Sequence, residues 1–61
     1  MKSDLVDIAG QLKHETERAF LMFDGVKEVW LPKSQVEFER GGRSEGTFTM
    51  PEWLAKEKGL I

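Results

Sequence analysis

Arg18-Ala19-Phe20-Leu21-Met22-Phe23-Asp24-Gly25-Val26-Lys27-Glu28-Val29-Trp30-Leu31 is two apolar runs on either side of an Asp-Gly pair. Asp and Gly both reach positive φ at low cost, so the pair predicts a β-hairpin. A two-residue turn sets Phe23 opposite Val26, Leu21 opposite Glu28, Phe20 opposite Val29 and Ala19 opposite Trp30. Both faces of that hairpin carry apolar residues. Such a hairpin belongs in the wall of a barrel, or has its second face covered by a helix or a partner.

Upstream, residues 3–16 carry two competing periods. Leu5, Ile8, Leu12 and Thr16 fall at helical spacing, with Ser3 or Asp4 available as a cap. Val6, Ile8, Gly10, Leu12 and His14 share one parity, while Asp7, Gln11, Lys13 and Glu15 share the other and are polar. Gly10 in mid-segment costs a helix about 1 kcal/mol relative to Ala. The strand reading is therefore preferred, with Gly10 marking a bulge or a sharp bend.

Downstream, Pro32 ends the third strand because it cannot donate to a ladder. Lys33-Ser34-Gln35 is a turn, in which the Ser34 hydroxyl could cap a single helical turn at a corner of the sheet. Val36 and Phe38 alternate with Glu37 and Glu39, and Phe48 and Met50 alternate with Thr47 and Thr49. The segment 36–50 reads as a second hairpin around a Gly-rich loop, residues 41–46. Pro51 suits the first position of a helix and Glu52 its first turn. Gly59 suits a left-handed end, with Leu60 folding back on Leu54 or Ala55. A helix of about two turns cannot stand alone, so Trp53 and Leu54 are expected to dock on the sheet. The fold expected is mainly β: a small bent antiparallel sheet or barrel-like fold of about five strands, with one short C-terminal helix.

Composition narrows the function classes. A chain of 61 residues reads as one domain, residues 1–61. A chain of this size buries only about 60% of the surface its unfolded form exposes. It has no cysteine and one histidine, His14, so neither a disulfide nor a thiolate metal site is open to it. No cofactor is expected. Four Phe and two Trp must supply much of the core. The net charge of −2 gives no general attraction to nucleic acid or to an anionic membrane. No apolar run approaches the roughly 20 residues of a bilayer span, and the acidic start does not resemble a signal peptide. A cytoplasmic protein with no membrane partner is expected.

No catalytic constellation stands out. Ser34 lacks an elbow motif, His14 is the only imidazole, and Glu37 and Glu39 sit at strand spacing on a solvent face. The candidate contact residues are Trp30, Lys33, Gln35, Arg40 and Arg43. Val29 and Leu31 take the core parity, which turns Trp30 outward between Lys27 and Lys33. There it could anchor a protein contact or stack on a base. The structural alternative packs Trp30 under the helix against Trp53. Lys33-Ser34-Gln35 could be a recognition turn. Arg40 and Arg43 frame a glycine loop that, with Lys13, Arg18, Lys33 and Trp30, could make a basic face for single-stranded nucleic acid. Glu39 and Glu45 would weaken that field. The run Phe20–Phe23 exceeds what one face of a small sheet hides, which points to self-association, a dimer.

Two blocks carry a resemblance: Val29-Trp30-Leu31-Pro32-Lys33-Ser34-Gln35-Val36, and Met50-Pro51-Glu52-Trp53-Leu54-Ala55 with Lys58-Gly59-Leu60. Together with Glu15-Thr16-Glu17-Arg18-Ala19 they resemble short uncharacterised proteins of bacteriophages and prophages. The resemblance covers about the last three-quarters of the chain. It implies a phage or prophage origin and no particular reaction. The function expected is a non-enzymatic accessory module that binds a protein partner or its own copy. The alternative is a small β-barrel that binds single-stranded nucleic acid.

Overall fold

A computed structural model describes residues 4–61 and has five antiparallel strands in one sheet, followed by a short helix. The strands are β1 (Leu5–Glu15), β2 (Ala19–Phe23), β3 (Glu28–Pro32), β4 (Glu37–Arg40) and β5 (Glu45–Pro51); the helix is α1 (Glu52–Glu57). The sheet order is β3-β2-β1-β5-β4, so β3 and β4 are its two edges. The sheet curls but does not close into a barrel. The strand reading of residues 3–16 is borne out over Leu5–Glu15, but its alternation holds only as far as Leu12; Ser3, offered as a helix cap, lies outside the described residues.

β1 organises the curl. Its first part pairs with β5, from Leu5 opposite Pro51 to Gln11 opposite Glu45. Its second part pairs with β2, from Gln11 opposite Phe23 to Glu15 opposite Phe20. Only Gln11 is paired on both sides. The register breaks between Leu12 and His14, leaving Lys13 as the extra residue of a bulge. The bulge is therefore at Lys13 and not at Gly10. Gly10 is needed for a different reason: a Cβ there would lie 2.6 Å from Met22 Cε and 3.0 Å from the Phe23 carbonyl oxygen.

The hairpin at Asp24-Gly25 forms, but its register differs by two residues from the expected one. Phe23 faces Glu28, Leu21 faces Trp30 and Ala19 faces Pro32. The turn runs over four residues because Asp24 closes it. Its N–H donates to the Lys27 carbonyl at 3.1 Å. Its carboxylate accepts the N–H groups of Val26 at 2.8 Å and Lys27 at 2.9 Å. Gly25 takes φ of 102°, and Val26 is left 88% exposed instead of entering the ladder. A shift of two preserves side-chain parity, so the division into core and outer faces survives.

The core is Met22, Leu31, Val36, Phe48, Met50, Leu54 and Ala55, with Val6, Ile8, Leu12, Phe20, Val29, Phe38 and Leu60 packed around it. Phe38 and Phe48 are direct cross-strand partners with ring centroids 4.6 Å apart, and Phe20 lies 6.0 Å from each. Gly46 sits in β5, not in the preceding loop, opposite both Gly10 and Arg40. A Cβ at Gly46 would overlap the Glu39 carbonyl and lie 2.6 Å from Phe38 Cε1. Glycine here lets the Phe38 ring lie across the strand.

The helix also departs from expectation in detail. Pro51 ends β5 and is the helix N-cap, with ψ of 146°; the first helical residue is Glu52. The Glu52 N–H donates to the Asp4 carbonyl at 2.8 Å, tying the helix start to the start of β1. At the other end the Gly59 N–H donates to the Lys56 carbonyl and the Leu60 N–H to the Ala55 carbonyl, a Schellman arrangement with Gly59 at φ of 75°. Leu54 and Ala55 are buried, but Trp53 is 56% exposed. The helix is only six residues long, so one side of it meets the sheet and Trp53 falls on the other. Lys33-Ser34-Gln35 is a turn closed by the Gln35 N–H donating to the Pro32 carbonyl at 3.0 Å, and no helical turn forms there. Among the described residues no helix is long and apolar enough to cross a membrane.

Candidate functional site

The bulge at Lys13 decides what the outer face of β1, β2 and β3 carries. Beyond an extra residue, alternation resumes with inverted parity. Leu12, opposite Met22, points to the core; His14, opposite Leu21, points out; Glu15, opposite Phe20, points back in. Strict alternation puts His14 on the core side. The bulge instead brings it into a row with Leu21 and its β3 partner Trp30. The His14 and Trp30 rings meet edge to face with centroids 6.2 Å apart. Trp30 is 46% exposed and turned outward, as the parity of Val29 and Leu31 predicts, and its ring neighbour is His14, not Trp53.

The neighbouring row runs across four strands: Glu28, Phe23, Gln11 and Glu45 are successive cross-strand partners. Lys13 Nζ lies 5.3 Å from the centroid of the Phe23 ring. Beside this row, at the bend of β1, is an open groove of about 420 Å³ lined by Gln11, Phe23, Asp24, Glu45 and the Gly10–Gly46 pair, among others. Donation from the Lys27 and Val26 N–H groups holds the Asp24 carboxyl below its ordinary value. Ala19, Leu21, Phe23, Trp30 and Pro32 thus give the outer face an apolar centre, with charges along its margins.

Lys33 and Arg40 do not join Trp30, although Lys13 reaches Phe23 on the same face. Lys33 Nζ donates to Glu15 Oε2 at 2.6 Å and lies 5.1 Å from the Phe20 ring centroid, covering the rim of the core. Arg40 has its guanidinium over the Phe38 ring, 5.7 Å from the centroid, and donates to the Arg43 carbonyl. Both lie on the concave side, opposite to Trp30, with their charged groups over core aromatics. Lys27, expected beside Trp30, reaches the Gly59 carbonyl at 2.8 Å and closes the helix C-terminus. Arg43 is exposed in the β4–β5 loop. Gln35 is exposed and lines, with Leu5, Val36, Glu37 and Thr49, a cleft of about 200 Å³ on the β4–β5 side. Of the five candidate contact residues, only Trp30 stands on the aromatic face.

The outer face of β1, β5 and β4 has a different character. Thr49 Oγ1 donates to Asp7 Oδ1 at 2.7 Å, and Glu37 and Glu39 stand opposite Thr49 and Thr47. Among the described residues no group of three His, Asp or Glu side chains converges at metal-ligating distance. His14 and Phe23 join Trp30 on this face although neither was among the five candidate contact residues. The signal for Phe23 was the unbroken Phe20–Phe23 run; for His14 there was none, because nothing in the local sequence marks Lys13 as the bulge. No family model matches the chain, and no similar curated protein or solved structure is found.

Proposed function

We propose that this chain is a non-catalytic, phage-type accessory module of the cytoplasm. It docks to a protein partner, or to a second copy of itself, through the outer face of β1, β2 and β3. The observation that carries the reading is Trp30, 46% exposed on the outer sheet face, opposite Leu21 and edge to face with His14. A large aromatic beside an apolar centre, with charges only at the margin, has the make-up of a protein–protein hot spot. A solvent-facing sheet with no such role carries polar residues at these positions. Single-stranded nucleic acid is the weaker reading. The cations that would track a backbone, Lys33 and Arg40, are held on the concave side by Glu15 and the Arg43 carbonyl. The phage origin rests on the two sequence blocks described above.

The test compares wild type with Trp30→Asp in two measurements. Sedimentation at rising concentration reads self-association. Capture from extract of a host cell reads a heterologous partner. A dimer, or one stoichiometric partner, that is present for the wild type and lost for a folded Trp30→Asp supports the reading. A monomer whose captures do not differ between the two proteins overturns it.

A further inference from the structure

Phe23 belongs both to the apolar face and to the groove at the bend of β1, and the charges around it are mostly of one sign. Its direct partner on β3 is Glu28; its partner on β1, Gln11, is followed on β5 by Glu45. Asp24, the next residue along, lines the same groove. Among the described residues, the cation at the ring is the chain's own Lys13, 5.3 Å from the Phe23 centroid. Its position shows what this aromatic surface attracts. The floor is the backbone of the Gly10–Gly46 pair, where a Cβ would point away from the groove toward Met22 and Phe38, and Gly25 has open space where a side chain would be, so nothing fills the groove from the turn.

We infer that the groove receives the arginine side chain of a protein partner, stacked on Phe23 in place of Lys13 and flanked by Glu45, Asp24 and Glu28. The partner segment would be both basic and apolar, its apolar residue resting on Leu21 and Trp30. This rests on the docking face proposed above and adds the chemistry of its occupant. A planar guanidinium suits the site better than an ammonium. It stacks on an aromatic ring through its face, while its edges donate to carboxylates and to the Gln11 amide oxygen. A volume of about 420 Å³ leaves room for the whole side chain with its hydrating water.

The test uses the full ¹⁵N-labelled chain and a capped peptide of alternating arginine and leucine. A twin peptide has citrulline, neutral and of the same shape, at each arginine. The arginine peptide is expected to move the amide resonances of Gln11, Phe23 and Glu45, and the citrulline twin to leave them in place. Glu45→Gln should weaken the arginine peptide roughly two- to fivefold, the range of one exposed charge pair. Phe23→Leu, which keeps every charge, should weaken it by a similar factor. Equal binding of both peptides, indifference to Glu45→Gln and Phe23→Leu, or shifts centred on Asp7, Glu37 and Glu39 would each overturn the inference. So would a dimer abolished by Glu45→Gln with no response to peptide, which would make a second copy the occupant. Trp30 emission separates the two claims. If the citrulline twin changes it as strongly as the arginine peptide, the docking face stands and the arginine site falls.

Discussion

The imidazole of His14 meets the indole of Trp30 edge to face, with planes at 88°, although alternation along β1 assigns His14 to the core side. The contact exists because Lys13 is an extra residue between two regular ladders. Deleting Lys13 joins those ladders without changing any pair, since Leu12 still faces Met22 and His14 still faces Leu21. The deletion variant is expected to fold, with the loss of local bend costing about 1 kcal/mol, and to keep the near-ultraviolet circular dichroism of the Trp30–His14 pair. Deleting Ala9 instead inverts Val6 and Ile8 relative to Leu12 and is expected to abolish the cooperative transition.

Gly10 and Gly46 face one another, yet alanine should affect them unequally. At Gly10 the first obstacle is Met22 Cε, the mobile end of a flexible side chain. At Gly46 it is the Glu39 backbone carbonyl, with the Phe38 ring behind it. Overpacking of this kind costs about 1–3 kcal/mol. Gly10→Ala is expected near the lower end and Gly46→Ala at or beyond the upper end, read from urea midpoints.

Phe48 is fully buried at the centre of the aromatic cluster. Truncation of such a ring costs about 3–5 kcal/mol, against a total stability on the order of 5 kcal/mol for a small domain. Phe48→Ala is therefore expected to be largely unfolded at room temperature by far-ultraviolet circular dichroism. Trp53→Ala, at an exposed helix position, should leave stability almost unchanged.

Asp24 links the turn to pH. Its carboxyl is held below the ordinary 3.8 by hydrogen bonds from the Lys27 and then the Val26 backbone N–H, with the Lys27 charge helping. A depressed folded pKa contributes stability that is complete above the unfolded pKa and is lost as pH falls below it through the folded value. Urea midpoints should therefore fall below about pH 4 for the wild type, and the acid limb should be shallower for Asp24→Asn.

Lys33 works through its stem as much as its charge. Its ammonium pairs with Glu15 at a partly exposed site and lies 5.1 Å from the Phe20 ring centroid, which puts the long side chain at the rim of the core. Exposed pairs contribute about 0.5 kcal/mol. Lys33→Met, which keeps the stem, is expected to lose about that much, and Lys33→Ala roughly twice as much. Raising salt should shrink the Lys33→Met effect and leave the difference between the two variants in place.

Alternation determined the last two strands, since Val36/Phe38 and Phe48/Met50 can bury one face only in an extended chain. Local chemistry likewise determined the turn at Asp24-Gly25, the stop at Pro32 and the left-handed helix end at Gly59. These features depend on neighbours in sequence, so they are legible there. The tertiary structure contributed to the hairpin register through the Lys27–Gly59 contact, which adds to the local bonds of the Asp24 carboxylate in setting the turn at four residues. It also decided which residues share a surface. Lys13 bulges where β1 passes from β5 to β2, Lys33 and Arg40 are drawn under the sheet by core rings, and Trp53 falls on the free side of its helix. Apart from the Asp24 and Arg40 contacts, which are local, these outcomes are settled between segments far apart in the chain, and a single strand's pattern carries no record of them.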